Sequence, residues 1–113
     1  MRSLSEGERR VVSHLIAAAG FAAEVAALRA TPMDDGGMGS LRFSSATDSP
    51  RFGAVLGEAW FMDADSVPVS AALYVDQNGS LFELDVWKVN FSPLRRWPEA
   101  HHIRDGLPTP TAP

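Results

Sequence analysis

The chain of 113 residues has 45% hydrophobic and 21% charged residues, which is typical of one globular domain and excludes a disordered or fibrous body. Fourteen acidic residues against ten basic ones give a net charge of -4, which favours a basic partner over a nucleic acid, because nucleic-acid phosphates are neutralised by basic side chains. The chain contains no cysteine, which excludes a disulfide framework and a thiolate nucleophile.

Two helices are predicted at the N-terminus. Ser5 and Glu8 have the spacing of a capping box, so the first helix should begin near Glu6, and Gly20 is its natural end. Between these limits apolar residues recur every three or four positions, namely Val11, Val12, Leu15, Ile16 and Ala19. Residues 21–30 are rich in alanine and place Phe21, Val25 and Leu28 at helical spacing, which predicts a second short helix.

After residue 40 the apolar period changes from helical to alternating, which predicts an antiparallel meander of about four strands. The strands are expected at residues 40–44, 52–62, 67–75 and 80–89. The predicted fold class is therefore α+β, with two N-terminal helices packed on an antiparallel sheet. We expect a single domain over residues 1–103 and a disordered, proline-rich tail over residues 104–113.

The last two strands form a predicted hairpin around the turn at residues 76–79. A four-residue turn aligns the two apolar sets on one face in the pairs Val75–Ser80, Leu73–Phe82, Ala71–Leu84 and Val69–Val86. This register puts Val69, Leu73, Phe82 and Leu84 on the core face and leaves Leu81, Glu83, Asp85 and Trp87 on the opposite face.

The opposite face of the predicted sheet collects acidic and aromatic side chains. With one bulged residue in the preceding strand, Glu58 and Glu83 flank the small Ala72. By the same register Trp60 and Asp85 flank Ser70, about 9 to 10 Å apart across two strand spacings. Arg42 points outward on its own strand and is expected to approach Glu58. The candidate binding residues are thus Arg42, Glu58, Trp60, Glu83, Asp85 and Trp87.

Three interpretations of this face are open. The acids have the separation of an inverting glycosidase pair, although no nucleophile or base-activating partner accompanies them, so no catalytic residue is assigned. Tryptophans mixed with acids also resemble the anchors and charged rim of a protein interface. In the third interpretation Phe91, Leu94 and Trp97 of the C-terminal segment cover Trp60 and Trp87, while Glu83 or Asp85 accepts hydrogen bonds from Arg42, Lys88 or a loop.

Other motifs predict no cofactor. Adjacent His101 and His102 rarely reach one metal ion together, and the segments at Asp34 and Asp63 lack the later acidic ligand of a calcium loop. The glycines at residues 36–39 lead into a strand and not into a phosphate-binding helix. No apolar run is long enough for a membrane helix, and the polar start does not resemble a signal peptide. We therefore expect a cytoplasmic protein without a membrane partner.

Two segments resemble the motif blocks of a small, uncharacterised bacterial family of unknown function. They are residues 35–43, Asp-Gly-Gly-Met-Gly-Ser-Leu-Arg-Phe, and residues 81–94, which contain Phe-Glu-Leu-Asp-Val-Trp-Lys. With the first helix, the resemblance covers most of residues 1–98 and implies kinship without implying an activity. In size and acidity the chain also resembles the immunity proteins of polymorphic toxin systems.

Taken together, these patterns predict a protein of unknown function that is more consistent with non-catalytic protein binding, immunity-like or adaptor, than with an enzyme. The partner would be another protein or a second copy of the chain. The alternative is a small enzyme or ligand-binding domain that uses the acidic and aromatic face. A concave pocket at these side chains would distinguish the alternative.

Overall fold

A computed structural model describes residues 1–108 of the chain. Within these residues one α-helix packs on a single seven-stranded antiparallel sheet of order β1-β2-β3-β6-β5-β4-β7. The elements in chain order are β1 (Arg2–Ser3), α1 (Glu6–Ala19), β2 (Arg29–Pro32), β3 (Leu41–Phe43), β4 (Phe52–Met62), β5 (Pro68–Asp76), β6 (Leu81–Lys88) and β7 (Arg104–Asp105), with single 3-10 turns at Val25–Ala27 and Ala100–His102. The predicted α+β class and antiparallel sheet are confirmed.

Helix α1 begins and ends as predicted. The hydroxyl of Ser5 accepts a hydrogen bond from the backbone N–H of Glu8, and the Glu8 carboxylate accepts one from the N–H of Ser5. Gly20 ends the helix in the left-handed conformation, with a φ of 67°, which glycine adopts without steric cost. The buried side of α1 consists of Val11, Val12, Leu15 and Ile16, together with Gly7 and Glu8.

The predicted second helix is wrong. Residues 21–30 contain one 3-10 turn at Val25–Ala27 and then the start of β2. Ala30 is fully buried and pairs with Phe43 of β3, so sheet pairing outweighs the weak helical preference of the alanines. The sheet therefore has seven strands and not about four, because β1, β2 and β7 were not predicted.

The hairpin of β5 and β6 is present, but its predicted register is wrong. Leu73 pairs with Leu84 and Ala71 with Val86, two residues beyond the predicted partners. The register shifts between Tyr74 and Val75, where β6 carries one extra residue opposite β5. A bulge of this kind leaves the alternation on either side intact. Because the total displacement from the predicted register is two residues, which preserves the alternation between the faces, Leu84 and Val86 stay on the core face even though their partners change.

The bulge also exchanges two side chains near the turn. Leu81, predicted to face outward, belongs to the core cluster. Phe82, predicted to be in the core, is buried outside the core cluster, with its ring 4.4 Å from the guanidinium carbon of Arg42.

The core lies between α1 and one face of the sheet. Its sheet residues are Leu41, Phe43, Ala59, Phe61, Val69, Ala71, Leu73, Leu84 and Val86. After β6 the chain turns to this same side, where Leu94 and Trp97 pack against the core. The Trp97 ring lies over Gly7 and Gly39 and is 6.5 Å from the ring of Phe61.

Residues 104 and 105 form the last strand of the sheet. Arg104 pairs with Trp60 and Asp105 pairs with Ala59, so β7 adds a strand to the edge of β4. Residues 109–113 of the predicted tail lie outside the described residues. No helix in residues 1–108 is long and apolar enough to cross a membrane.

Candidate functional site

The predicted binding residues all lie on the sheet face opposite α1, which we call the outer face. Alternation from the core positions places Arg42, Tyr74, Glu83, Asp85, Trp87, Ser70, Ala72, Val55, Glu58, Trp60 and Arg104 on this face. Within residues 1–108 no helix packs against it, because the buried side of α1 faces the core. The residues that the structure describes therefore leave the outer face uncovered.

The predicted cover of this face by the C-terminal segment is wrong. Leu94 and Trp97 pack on the helix side of the sheet, where the N–H of Leu94 also donates to the carbonyl of Gly37. Phe91 alone of the three predicted covering residues meets the outer face, with its ring 5.8 Å from that of Trp87. Phe91 is itself 68% exposed and Trp87 is 44% exposed, so both rings remain accessible to a partner.

The rows of side chains across the face differ from the predicted rows. Glu58 pairs with Ala72, which pairs with Asp85, so the acid across Ala72 is Asp85 and not Glu83. Likewise, Trp60 pairs with Ser70, which pairs with Trp87, so the residue across Ser70 is Trp87 and not Asp85. The turn contributes one residue of this displacement, because Val75 pairs with Leu81 and not with Ser80, and the bulge in β6 contributes the second residue.

Arg42 does not approach Glu58 as predicted, because β6 and β5 lie between their strands. The Nη2 atom of Arg42 instead donates to Oε1 of Glu83 at 2.9 Å, directly across the pair of β3 and β6. Its guanidinium also lies over the ring of Phe82. Glu83 is therefore neutralised within the face, and Arg42 is held by a charged and an aromatic partner.

Tyr74 stands beside these residues on β5. Its hydroxyl donates to Oδ2 of Asp85 at 3.1 Å, and the ring of Phe52 meets its ring edge-on with a centroid separation of 5.1 Å. Burial, followed by the carboxylates of Asp85, Glu83 and Glu58, raises the pKa of Tyr74 to about 12. The phenol therefore remains a hydrogen-bond donor at neutral pH.

Several large apolar side chains of the face are open to solvent. Val55 is 49% exposed and Met62 is 50% exposed at opposite ends of the central strands, and Phe52 and Phe91 are exposed more than either. Contiguous exposed apolar groups mark interaction sites, and on this face the exposed rings of Trp87 and Phe91 are contiguous. The outer face thus combines exposed aromatic groups with acids, and the small residues of β5 separate its two tryptophans.

A buried ion cluster on the helix side of the sheet was not predicted from the sequence. Lys88, the one lysine of the chain, is completely buried and its Nζ lies 2.8 Å from Asp63 and 2.6 Å from Asp65. It also donates to the carbonyl of Pro93. The signal was available, because Lys88 continues the core-facing alternation of Leu84 and Val86. Lys88 therefore does not donate to Glu83 or Asp85.

Hydrogen bonding determines the charge of this cluster. Burial alone would lower the pKa of Lys88, but its hydrogen bonds to Asp63 and Asp65 raise this pKa above the ordinary value. Burial likewise opposes ionisation of Asp63, whereas Lys88 and the backbone N–H groups of Arg95, Ala64 and Arg96 hold the pKa of Asp63 low. The cluster pairs its own charges and positions the C-terminal segment.

Three surface cavities of about 280 to 300 Å³ lie outside the centre of the outer face. One lies beside the glycine loop and Trp97, one runs from Trp60 to Arg96, and one lies between α1 and Glu58. None of the three is lined by Arg42, Glu83 or Asp85. Within residues 1–108, no three histidine or acidic side chains come together as metal ligands.

Comparisons with known proteins give a family but no activity. No curated protein and no solved structure matches the chain. A family model described as "Domain of unknown function (DUF6984)" matches residues 1–98, from β1 to the end of the segment that carries Trp97. The match covers most of the chain, which therefore belongs to this family of unknown function.

Proposed function

We propose that the protein is a non-catalytic binding domain whose outer face receives another protein. The observation that carries this proposal is that residues 1–108 leave the face uncovered and present Trp87 and Phe91, an edge-on aromatic pair, to solvent. Tryptophan is enriched among the residues that dominate binding energy in protein interfaces. A rigid antiparallel sheet also holds such side chains in place at little cost in entropy.

The charges of the face support a protein partner over a nucleic acid. Glu58, Glu83 and Asp85 outnumber the basic residues that share their rows, and Glu83 is already paired with Arg42. Phosphate backbones require an excess of basic side chains. We propose that the partner is a basic protein met in the cytoplasm, as for an adaptor or an immunity-like protein that blocks a target.

A small enzyme or ligand-binding domain is the alternative. The observation in its favour is that Glu58 and Asp85 stand across the small Ala72. Catalysis by two carboxyl groups also needs a concave site that holds the substrate and excludes water. The three cavities described above do not include Asp85, and we therefore prefer the binding role.

The proposal is tested by truncating both tryptophans, in the double variant Trp60→Ala and Trp87→Ala. A photo-crosslinking amino acid at Val55, in the otherwise native protein and in the variant, reports which proteins or copies contact the face in cells. We expect a discrete crosslinked product that the double variant loses. Far-ultraviolet circular dichroism verifies that the variant is folded, and light scattering gives the oligomeric state of both proteins.

The matched control is a double substitution on the exposed side of α1, Arg9→Ala and Ser13→Ala, because both residues are exposed. This control should leave the crosslinked product unchanged. If the tryptophan variant folds and keeps the same crosslinked products and the same mass in solution, the outer face is not a binding surface.

A further inference from the structure

Along strand β5 the small outward side chains leave a shallow groove between larger neighbours on the outer face. Its floor is formed by Ser70 and Ala72, the two smallest outward side chains of that strand. Two pairs of larger side chains stand on either side, Glu58 and Trp60 on β4 and Asp85 and Trp87 on β6. The two walls are separated by two strand spacings, about 9 to 10 Å.

The two acids of the groove lack counter-ions in the part of the chain that the structure describes. Glu58 is exposed and forms no ion pair within residues 1–108. Asp85 accepts the hydroxyl of Tyr74, which is neutral. By contrast Glu83, on the same face, is paired with Arg42. Two negative charges are therefore left beside two indole rings.

This combination is complementary to an organic cation. A positively charged group midway between the walls lies about 5 Å from each wall, within the roughly 6 Å at which an indole attracts a cation. The same position is equally distant from the backbones that carry Glu58 and Asp85. The two carboxylates extend from the adjacent row, two residues or about 7 Å further along the strands. A group that lies along the groove therefore contacts the rings and the carboxylates together, and the small floor residues leave the space that it needs.

Shape favours a guanidinium over an ammonium. A guanidinium is planar, stacks on aromatic rings and donates through several N–H groups to carboxylates on two sides, whereas an ammonium is compact and strongly hydrated. The groove has two aromatic and two acidic side chains on its walls, which match the stacking surface and the N–H donors of a guanidinium. The exposed rings of Trp87 and Phe91 would then pack against neighbouring apolar groups of the same partner segment.

We infer that the groove over Ser70 and Ala72 binds an arginine side chain of the partner protein, between Trp60 and Trp87 and against Glu58 and Asp85. This inference rests on the proposed function and specifies the chemistry of its partner. A second copy of the chain and a purely apolar partner are the competing occupants.

The test uses the three indole N–H signals of the protein, from Trp60, Trp87 and Trp97, in a nitrogen-15 correlation spectrum. Single tryptophan-to-phenylalanine variants assign these signals. The probe is a synthetic peptide of alternating arginine and glycine, and the control peptide has glutamine in place of arginine. We expect the arginine peptide to shift the signals of Trp60 and Trp87 and to leave that of Trp97, which packs on the helix side.

Two charge variants refine the test. The double variant Glu58→Gln and Asp85→Asn should lower the affinity for the arginine peptide about fivefold, because it loses two solvent-accessible charge pairs. Glu24→Gln with Glu99→Gln, at exposed sites outside the groove, removes the same charge and should leave the affinity within about twofold, because distant charges are screened. A peptide of lysine and glycine should bind more weakly than the arginine peptide.

Each remaining outcome counts against the inference. Equal shifts with the glutamine peptide would indicate an apolar or backbone contact, and broadening that depends on protein concentration without peptide would identify a second copy as the occupant. If no indole signal shifts while the tryptophan double variant still loses its crosslinked product, the proposed binding role stands and the arginine site is wrong. If that product is also unaffected, both proposals are wrong.

Discussion

Nζ of Lys88 lies 2.8 Å from Oδ2 of Asp63, and both side chains are completely buried. Asp63 also accepts the backbone N–H groups of Arg95 and Arg96. One carboxylate thus connects the end of β6 to the segment that places Trp97 on the core. Removing one partner would leave the other as an uncompensated buried charge, which is strongly destabilising.

Replacing Lys88 with methionine should therefore destabilise the protein strongly. The variant keeps the volume of the side chain but leaves Asp63 without its cation, so we expect the melting temperature to fall by about 10 °C or more. Differential scanning calorimetry provides the measurement. The exposed substitution Arg9→Met is the control, and a Lys88→Met protein that melts within about 2 °C of the native one would contradict the role of the pair.

The same burial predicts the reactivity of the amino groups. Lys88 is the one lysine of the chain and has no solvent exposure, so acetic anhydride should modify the native protein at the N-terminal amine but not at Lys88. Mass spectrometry after brief labelling should show a single acetyl group, and labelling in denaturant should add a second one. Rapid modification of Lys88 in the folded protein would show that the cluster opens readily.

Local signals in the sequence were sufficient for the elements that depend on neighbouring residues. Ser5 and Glu8 predict the start of α1, and Gly20 predicts its end, because capping is determined within a few residues of the chain. The alternation of β5 and β6 likewise places Leu84 and Val86 correctly on the core face. These elements are confirmed by the structure.

Features that depend on distant partners were not predictable in this way. Ala30 lies in a strand because it pairs with Phe43. The alanine-rich sequence around Ala30 does not indicate that partner, which is distant in the chain. The extra residue of β6 near Phe82 was also not predictable from the sequence, because the residues on each side of a bulge still alternate between the two faces. The six candidate residues were therefore assigned to the correct face, but those on β6 were assigned to the wrong rows.

Acid should destabilise the protein through the carboxylates that are hydrogen-bonded in the native state. The pKa of Asp35 and that of Asp76 lie below the ordinary value, since burial, which opposes ionisation, is outweighed by hydrogen bonds from backbone N–H groups and hydroxyls. The pKa of Asp63 is lowered as well. A carboxyl group with a lowered native pKa contributes stability above its unfolded pKa of about 3.9 and loses it as the pH falls through the native pKa.

We therefore expect the free energy of unfolding to be nearly constant from neutral pH down to about pH 5 and to fall steeply below about pH 4. Urea titrations at a series of pH values provide the measurement. Asp76→Asn removes one titrating group, so its stability should be lower at neutral pH and should decline less on acidification. An identical decline in the variant would show that Asp76 does not contribute to the acid sensitivity.

Trp97 should make Gly7 intolerant of even a methyl group. A Cβ at residue 7 would overlap the Cβ and Cγ atoms of Trp97, so Gly7→Ala should cost about 1 to 3 kcal/mol by overpacking. This outcome is opposite to the gain of up to about 1 kcal/mol that alanine gives over glycine in an unobstructed helix. Chemical denaturation measures the difference, with Ser13→Ala, at an exposed position of α1, as the control.

The double variant Gly7→Ala and Trp97→Ala completes a double-mutant cycle that tests the contact between the two residues. When the ring is absent, the alanine at residue 7 no longer meets an obstacle, so adding it to Trp97→Ala should be neutral or stabilising by up to about 1 kcal/mol. If Gly7→Ala costs the same with and without the Trp97 ring, the two residues are not in contact and the placement of the C-terminal segment is wrong.

Tyr74 offers a direct test of the outer face, because it is the one tyrosine of the chain and its hydroxyl donates to Asp85. Burial and the neighbouring carboxylates raise the pKa of Tyr74 to about 12. A group with a raised native pKa contributes stability below its unfolded pKa, about 10 for tyrosine, and loses it as the pH rises through the native pKa. Ionisation should therefore be delayed for as long as the protein remains folded.

Absorbance at the tyrosinate band, recorded with circular dichroism at each pH, measures this ionisation in the folded state. We expect a midpoint about two pH units above that of the urea-unfolded chain. Asp85→Asn should lower the midpoint in part, because it removes a charge beside the phenol and leaves the burial in place. Glu24→Gln should not change it. A native midpoint near 10 in a protein that still shows its sheet spectrum would mean that Tyr74 is open to solvent and that the row joining it to Glu83 and Arg42 is not formed.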